Sequence, residues 1–256
     1  MTGVRLLILL LSVLLRGLGD GRPDAEKPSN GRSPAVLTTA RQILNLGTDE
    51  AARVVHRVAL TGVVTCPMAG IPWVYLQDAT AGMLVIYTNR QLRLEPGQRV
   101  EVSGQTFSGQ FAVHVDRANV RVTGNGALPE PKRADPARLA AGEDFGSWVV
   151  LQGRVVDVYK LGDTAVLRLN SGNWRFSVHG PVCELGAVPA GSGVPEDWLD
   201  ARVEVRGICW TEVDSSNRPY LFRLHSPGSN FVTVLEPGNP NLFRRDVTPI
   251  SAVRLT

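Results

Sequence analysis

The sequence lacks the short motifs that mark most enzymes. It contains no Gly-x-Ser-x-Gly nucleophile motif, no Gly-rich loop ending in Lys-Ser or Lys-Thr, and no Gly-x-Gly-x-x-Gly that opens a helix. Metal ligands are also sparse, because only His179 and Cys183 stand four residues apart and two ligands do not make a zinc site. The other histidines, His56, His114 and His225, stand singly. These absences predict a protein that is not an enzyme and that needs no metal or cofactor.

Cysteine is scarce, with three in the chain: Cys66, Cys183 and Cys209. An odd number without a short paired spacing allows at most one disulfide. Cys209 lies in the apolar stretch from Val203 to Trp210, where a free cysteine is expected to behave as a small buried hydrophobe. Cys66 is predicted to lie in a loop and is therefore the more reactive candidate.

Net charge is also small. The chain carries a formal charge of +3, and residues 1–19 contribute Arg5 and Arg16 without an acid, which leaves +1 for the remainder. Contacts to phosphates dominate the affinity of proteins for nucleic acids, and they require clustered cations. The composition therefore gives little support for a polyanionic partner.

Long apolar runs are missing after the N-terminus. Arg5, the apolar run from Leu6 to Leu15 and the small residues Gly17 and Gly19 have the layout of a secretory signal peptide. A membrane span takes about 20 apolar residues, so no permanent span is predicted. We expect residues 1–19 to be a signal peptide and 20–35 a flexible linker, and the protein to be periplasmic or extracellular. An uncleaved signal segment that tethers the chain is the alternative.

One pattern of residues occurs twice along the chain. Val58 to Val64 matches Val149 to Val155, and Arg99 to Gly104 matches Arg202 to Gly207. Each matching stretch places a glycine after alternating apolar residues, as expected where a coiled strand bends around a small barrel. The two copies of the stretch from Arg99 to Gly104 lie further apart in the sequence than the two copies of the stretch from Val58 to Val64. This difference predicts an insertion in the second copy, at residues 186–195.

The fold predicted from this repeat is mainly β, with two tandem OB-like five-stranded barrels, each introduced by a short helix. Module 1 is placed at residues 36–127 and module 2 at 128–236, and residues 237–256 form a tail that resembles the lead-in of a further module. Thr39 is expected to cap a helix from Ala40 to Leu46, Thr48 a second helix from Asp49, and Asp135 the helix of module 2. The strands are predicted at 57–65, 73–78, 82–87, 99–107, 111–115 and 120–123, and at 148–159, 165–170, 173–178, 201–210, 220–225 and 231–235.

Several stretches together resemble a known family of sensory regions. They are Leu60-Thr61-Gly62-Val63-Val64-Thr65, Leu76-Gln77-Asp78, Leu128-Pro129-Glu130-Pro131, Gly142-Glu143-Asp144 with Trp148-Val149, and Arg202-Val203-Glu204-Val205-Arg206-Gly207. In this order they resemble the extracytoplasmic N-terminal region of bacterial sensor histidine kinases, which consists of tandem OB-like modules. The resemblance implies a sensory or ligand-binding module of a two-component system. The membrane span and kinase of such proteins do not occur before Thr256, so the chain is expected to be a free-standing relative or the front of a longer protein.

The predicted ligand site is the outer face of the first barrel. Alternation along the second strand turns Trp73, Tyr75 and Gln77 outward, and Tyr87, Phe107 and Phe111 could extend this platform. Exposed aromatic rings at strands 2 and 3 of an OB barrel can stack on bases or sugar rings. The alternative is that the introductory helix or the second barrel covers them. The polar loop from Thr211 to Arg218 is a second candidate.

Two functions are carried forward from these patterns. The first is a non-enzymatic extracytoplasmic binding or sensory module with an unknown ligand. The second is a secreted binder of single-stranded nucleic acid or oligosaccharide. A shorter likeness supports the nucleic acid, because Leu60 to Thr65 followed by Tyr75-Leu76-Gln77-Asp78 also resembles the OB modules of secreted bacterial nucleases.

Overall fold

A computed structural model describes residues 35–162, 164–181, 198–216 and 218–239. Three α-helices lie in these ranges: α1 (Ala40–Leu44), α2 (Gly47–Arg53) and α3 (Pro136–Ala140). The strands are β1 (Arg57–Pro67), β2 (Trp73–Gln77), β3 (Gly82–Tyr87), β4 (Gln98–Ser108), β5 (Val113–Asn125), β6 (Lys132–Arg133), β7 (Trp148–Leu161), β8 (Thr164–Ser171), β9 (Trp174–Pro181), β10 (Arg202–Val213), β11 (Pro219–His225) and β12 (Val232–Glu236). The predicted signal peptide, the predicted linker except for residue 35, the predicted insertion and residues 240–256 of the predicted tail lie outside the described ranges. Of the helices described, none is long and apolar enough to cross a membrane.

The first five strands form a closed barrel. Their order around it is β1-β2-β3-β5-β4, and β4 pairs again with β1. Neighbouring strands are antiparallel except β3 and β5, which run parallel. Alternate residues of β1, including Val58, Leu60 and Val64, point into the core, where Ile43 of α1 also packs.

The second barrel repeats this order strand for strand. The order of strands around it is β7-β8-β9-β11-β10, and pairing of β10 with β7 closes the barrel. Among these five strands, again only the third and the fifth, β9 and β11, pair in parallel. Two short strands are added at its margins, because β6 pairs with β7 and β12 pairs with β10. The predicted fold, mainly β with two OB-like barrels each introduced by a short helix, is confirmed.

The repeated glycines lie where neighbouring strands approach closely. A Cβ atom added to Gly62 would lie 2.8 Å from Cδ1 of Leu76 and 3.0 Å from the carbonyl oxygen of Gln77. A Cβ atom on Gly153 would lie 3.0 Å from the carbonyl oxygen of Asn170, the residue that corresponds to Gln77. The glycines therefore recur because each barrel needs the same close approach of its first two strands.

The helix before each barrel is fixed by its cap. Thr39 caps α1 in a capping box with Gln42, and Asp135 caps α3 by accepting a hydrogen bond from the Ala137 N–H at 2.9 Å. The prediction that Thr48 caps the next helix is wrong. Because Gly47 turns the chain with φ +69 and is itself the first residue of α2, Thr48 lies inside that helix.

The last strand of the first barrel is longer than predicted. Two separate strands were expected at 111–115 and 120–123, but β5 runs without a break from Val113 to Asn125. Its pairing with β4 contains register shifts, and Arg117 within it has φ +50. This bulge interrupts the alternation of apolar residues while the ladder continues, which explains why the pattern indicated two strands.

Candidate functional site

The outer face of β2 and β3, where the sequence predicts a stacking platform, is covered by the second barrel. Tyr75 is 0% exposed, and Leu84 beside it on β3 is buried as well. Trp148 and Ile208 of the second barrel pack against these two residues. We call this set the inter-barrel cluster; it also includes the buried Cys66 and the partly buried Met68, Trp73, Leu128, Trp210 and Phe231. The prediction that Tyr75 is exposed is wrong, because the second barrel covers its ring. Cover by the second barrel is one of the two alternatives that the sequence leaves open.

Gln77 and Tyr87 are held by contacts within the protein. The side-chain Oε1 of Gln77 accepts a hydrogen bond from the backbone N–H of Trp148 at 3.4 Å. Tyr87 is 8% exposed and belongs to the core of the first barrel. Gln77 therefore attaches β2 to the start of β7, and Tyr87 offers almost no surface to a ligand.

Phe107 and Phe111 lie apart from the other predicted residues. Phe107 is 50% exposed on β4 and packs against His114, with ring centroids 5.1 Å apart. Phe111 lies in the loop before β5 and packs at 5.3 Å against Phe145 of residues 141–147, the segment between α3 and β7 that we call the linker from here on. The six predicted residues do not form one surface, and a ligand role for the exposed ones stays a prediction.

A series of ring contacts continues from the linker across the second barrel. Phe145 packs on Trp210 of β10 with centroids 5.6 Å apart, and Trp210 meets His225 of β11 edge-on at 5.9 Å. His225 in turn lies 5.7 Å from His179 of β9. Together with the contact between Phe111 and Phe145, the rings connect the β4–β5 loop of the first barrel to the outer face of the second.

Cys66 lies in a strand and is buried. It pairs with Tyr75 across β1 and β2, and its Sγ lies 3.6 Å from the carbonyl oxygen of His225. Burial raises the pKa of the Cys66 thiol to about 12 and also raises the pKa of Cys209 to about 12. Both cysteines are free, and both are protonated at neutral pH. The prediction that Cys66 is a reactive thiol in a loop is wrong, because the nucleophilic form is the thiolate and the second barrel excludes water from this site.

The hydroxyl of Tyr75 has no hydrogen-bond partner among the described residues. Burial raises the pKa of this phenol well above its ordinary value, and the nearby Cys66 and Cys209 add to the effect. A buried hydroxyl without a partner costs about 1–3 kcal/mol of desolvation. We therefore expect Tyr75→Phe to increase the free energy of unfolding by about 1 kcal/mol, measured by urea denaturation. A decrease of that size would show that the hydroxyl has a partner in solution.

A shallow pocket of about 330 Å³ opens beside Gln77. Asp78, another of its residues, uses its carboxylate to accept a hydrogen bond from the Ala40 N–H at 2.7 Å. Partial burial opposes ionisation of Asp78, but hydrogen bonds from Thr80, Ala40 and Ala81 outweigh it and hold its pKa below the ordinary value. Its hydrogen bonds hold the start of α1 and the β2–β3 turn, so this pocket is mainly part of the scaffold.

The corresponding face of the second barrel is open. Counted from the repeated glycines, Arg168 occupies the position of Tyr75, and it pairs with Ser177 as Tyr75 pairs with Leu84. The Arg168 side chain is 60% exposed, whereas Tyr75 is fully buried. The same place in the two barrels therefore serves for packing in the first and lies in solvent in the second.

Outward side chains form a row across all five strands of this barrel. The cross-strand pairs place the following residues side by side: Asp157, Arg168, Ser177, Arg223 and Trp210. Tyr159, two residues beyond Asp157 on β7, is 39% exposed, and the Arg168 guanidinium lies 5.3 Å from its ring centroid. We call the accessible part of this surface the open face; its residues are Asp157, Tyr159, Arg168, Arg175, Ser177, Glu212, Leu221 and Arg223, and Tyr220 joins its margin through the hydrogen bond of its hydroxyl to Glu212.

Ion pairs neutralise most of the charge on the open face. Arg168 lies 3.5 Å from Asp157, and Arg223 lies 2.5 Å from Glu212. Glu212 also accepts a hydrogen bond from the hydroxyl of Tyr220 at 3.3 Å. Arg175 forms no ion pair with another residue of the described ranges. The surface therefore carries donors and acceptors in nearly equal number rather than a block of positive charge.

The β10–β11 turn beside the open face is held by Asp214. Its carboxylate accepts hydrogen bonds from the backbone N–H groups of Ser216 and Arg218, at 2.8 and 3.0 Å, and from Nε of Arg218 at 3.0 Å. The backbone hydrogen bonds from Arg218 and Ser216 hold the pKa of Asp214 below its ordinary value. The turn therefore holds its shape through a local ion pair and backbone hydrogen bonds.

Two histidines occupy the end of the open face nearest the first barrel. Burial, with smaller contributions from Arg223 and His179, lowers the pKa of His225 to about 3. Burial and Arg223 likewise lower the pKa of His179 to about 4. A ring nitrogen of His179, Nε2, is 2.9 Å from Oγ of Ser177. Both imidazoles are therefore neutral at pH 7.

The sequence pattern did not identify the open face as a site. The alternation along β8 places Arg168 and Asn170 on one face, but the missing aromatic residue comes from Tyr159 on the neighbouring strand β7. The register of β7 against β8, which contains a bulge after Val155, was the information needed.

Metal binding has no support in the described ranges, because no group of three histidine, cysteine, aspartate or glutamate side chains is placed to hold an ion there. No protein-family model matches the chain, and no curated protein matches it.

Solved structures resemble the chain at low similarity. A murine DNA-binding protein bound to double-stranded DNA is 13% identical, with a match over 70% of this chain and 98% of that one and a TM-score of 0.33. The Ifi202 HINa domain in complex with a 20-base-pair DNA is 12% identical over 73% of this chain and 99% of its own, with a TM-score of 0.35. Aspartyl-tRNA synthetase from Entamoeba histolytica is 13% identical over 42% of this chain and 22% of its own, with a TM-score of 0.30. All three TM-scores are below 0.5, so we infer no shared ligand or activity from these likenesses.

Proposed function

We propose that this chain is an exported, non-enzymatic ligand-binding module in which the second barrel presents the ligand surface and the first barrel supports it. The observation that carries the proposal is the contrast between two equivalent positions. Tyr75 is buried in the inter-barrel cluster, whereas Arg168 is exposed beside an exposed tyrosine ring. In OB barrels the face of strands 2 and 3 is the surface that takes oligonucleotides and oligosaccharides.

The packing of the first barrel supports this division. Trp148 and Ile208 of the second barrel lie against the outer face of β2 and β3. A ligand could reach that face only if the barrels separated, which would expose these apolar side chains to water. The open face of the second barrel needs no such rearrangement.

The Ser177–His179 pair does not have the features of a catalytic dyad. A general base acts best when its pKa is near the working pH, and the pKa of His179 is lowered to about 4. No carboxylate of the described ranges forms an ion pair with His179 that would orient its ring. These features support a binding role and not hydrolysis.

Export and a sensory role rest on other features. Residues 1–19 have the layout of a signal peptide, and the repeat resembles the input region of sensor histidine kinases. In such a protein the open face would receive the ligand outside the cytoplasm.

The test is binding to two probe classes, a (dT)12 oligonucleotide and an array of oligosaccharides. We expect at least one class to bind, and the double variant Tyr159→Ala/Arg168→Ala to weaken that binding at least tenfold. Stacking on one ring is worth about 1–3 kcal/mol, which corresponds to roughly 5- to 150-fold. Phe107→Ala is the matched control, because Phe107 is an exposed ring on the first barrel and should change affinity less than twofold. No binding by either class, or binding lost only in the control variant, contradicts the proposal.

A further inference from the structure

We infer that the ligand of the open face is a neutral oligosaccharide, not a nucleic acid; this inference rests on the proposed function. It follows from three properties of the surface: how its charges are arranged, which hydrogen-bonding groups it offers, and where its aromatic rings lie.

The arrangement of charge disfavours a phosphate backbone. The guanidinium groups of Arg168 and Arg223 are already paired with the carboxylates of Asp157 and Glu212, at 3.5 and 2.5 Å. A nucleic acid would have to displace these carboxylates or bring its phosphates close to them. Arg175 is the one open-face cation that has no ion pair within the described ranges, and one cation gives little of the counterion release on which such binding depends.

The hydrogen-bonding groups suit hydroxyls. A sugar hydroxyl donates one hydrogen bond and accepts others, so it fits best where donors and acceptors lie side by side. The pairs Asp157–Arg168 and Glu212–Arg223 provide this arrangement at both sides of Ser177, whose hydroxyl has the same dual character.

Exposed aromatic rings lie at two separate places on this surface. Tyr159 is 39% exposed next to Arg168, and Tyr220, whose hydroxyl bonds Glu212, is 60% exposed. The apolar C–H face of a pyranose ring packs on such rings, which present an apolar body and a polar tip. Along this face β8 and β9 lie between β7, which carries Tyr159, and β11, which carries Tyr220, so a ligand that contacts both rings must be an extended chain of several units.

The experiment compares neutral oligosaccharides on a glycan array with (dT)12 and measures the affinity of the best glycan by calorimetry. We expect a neutral glycan to bind, with an affinity that changes less than twofold between 50 and 500 mM salt. The affinity for a nucleic acid would fall steeply over that range, because counterions are released on binding.

Asp157→Asn separates the two ligand classes further. For a neutral glycan, affinity should fall at least threefold, because Arg168 loses the partner that orients it. For a nucleic acid, affinity should rise, because a negative charge is removed from the surface. Arg168→Lys, which keeps the charge and loses the planar guanidinium, should weaken glycan binding at least fivefold and change oligonucleotide binding little.

Each outcome bears on one proposal or on both. One outcome is that no neutral glycan binds, and that (dT)12 binds with an affinity that depends on salt and increases in Asp157→Asn. This result overturns the inference of an oligosaccharide ligand but keeps the open face as the ligand surface. Binding confined to acidic glycans also overturns the inference. Binding of neither class by the folded protein overturns this inference and the proposed function together.

Discussion

Gly82→Ala should lower the free energy of unfolding by at least about 3 kcal/mol, the largest effect we expect from adding a single methyl group. A Cβ atom at this position would lie 2.1 Å from the carbonyl oxygen of Gly146 and 2.9 Å from its carbonyl carbon. Both atoms belong to the backbone, so no side chain can turn away. Gly146 also donates its N–H to Cys209 of β10 at 2.8 Å, so a shift of the linker disturbs the second barrel as well.

The measurement is urea denaturation followed by tryptophan fluorescence, because Trp73, Trp148 and Trp210 all belong to the inter-barrel cluster. Gly126→Ala is the matched control. The three atoms nearest to its added Cβ all belong to the flexible side chain of Arg99, the closest being Nε at 2.8 Å. We expect the control to change the free energy of unfolding by less than about 1 kcal/mol. Equal stability of Gly82→Ala and the parent protein would show that the linker does not press on β3 in solution.

Acidification from pH 7 to pH 4.5 should destabilise the protein on the order of 3 kcal/mol through His179 and His225. Their pKa values are lowered from 6.5 to about 4 and about 3, so below pH 6.5 the unfolded chain binds protons that the folded protein does not. The stability that the neutral rings contribute is complete above pH 6.5 and is lost as the pH falls towards their folded pKa values. A pKa difference of one is worth about 1.4 kcal/mol, and the partial solvent contact of both rings reduces the full effect.

The test is the midpoint of urea denaturation as a function of pH. The double variant His179→Gln/His225→Gln should show a much flatter dependence between pH 6.5 and 4.5, whatever its stability at pH 7. Carboxylates with lowered pKa, such as Asp78 and Asp214, contribute mainly below this range and serve as an internal reference. An unchanged slope in the double variant would mean that the two imidazoles take up protons in the folded protein as readily as in the unfolded chain.

The architecture could be predicted because short, local sequence patterns determine it. Alternating apolar residues located the strands, and the matching glycines Gly62 and Gly153 revealed two equivalent barrels. Helix caps at Thr39 and Asp135 were also predictable, since a cap depends on the side chain and the few residues that follow it. The errors occurred where backbone geometry overrides the pattern, at the turn of Gly47 and at the bulge in β5.

The site could not be predicted in the same way, because it depends on which barrel face is covered. Alternation correctly turned Tyr75 away from the core of its own barrel, but it carries no information about a neighbour more than 70 residues later in the chain, such as Trp148. Arg168 looked unremarkable for the same reason, since Tyr159 reaches it only through the register of β7 and β8. Contacts between modules decide both assignments.

The segment between the barrels has a mechanical consequence. Gly146 and Ser147 exchange hydrogen bonds with Cys209, so the linker continues into the second barrel as if it were part of β7, while Gly82 of the first barrel lies directly against it. Lys132 and Asp144 at either side of α3 form an ion pair at 2.5 Å. No free hinge is left between the modules in this segment. A molecule bound to the proposed open face would therefore be presented at a fixed angle to the first barrel.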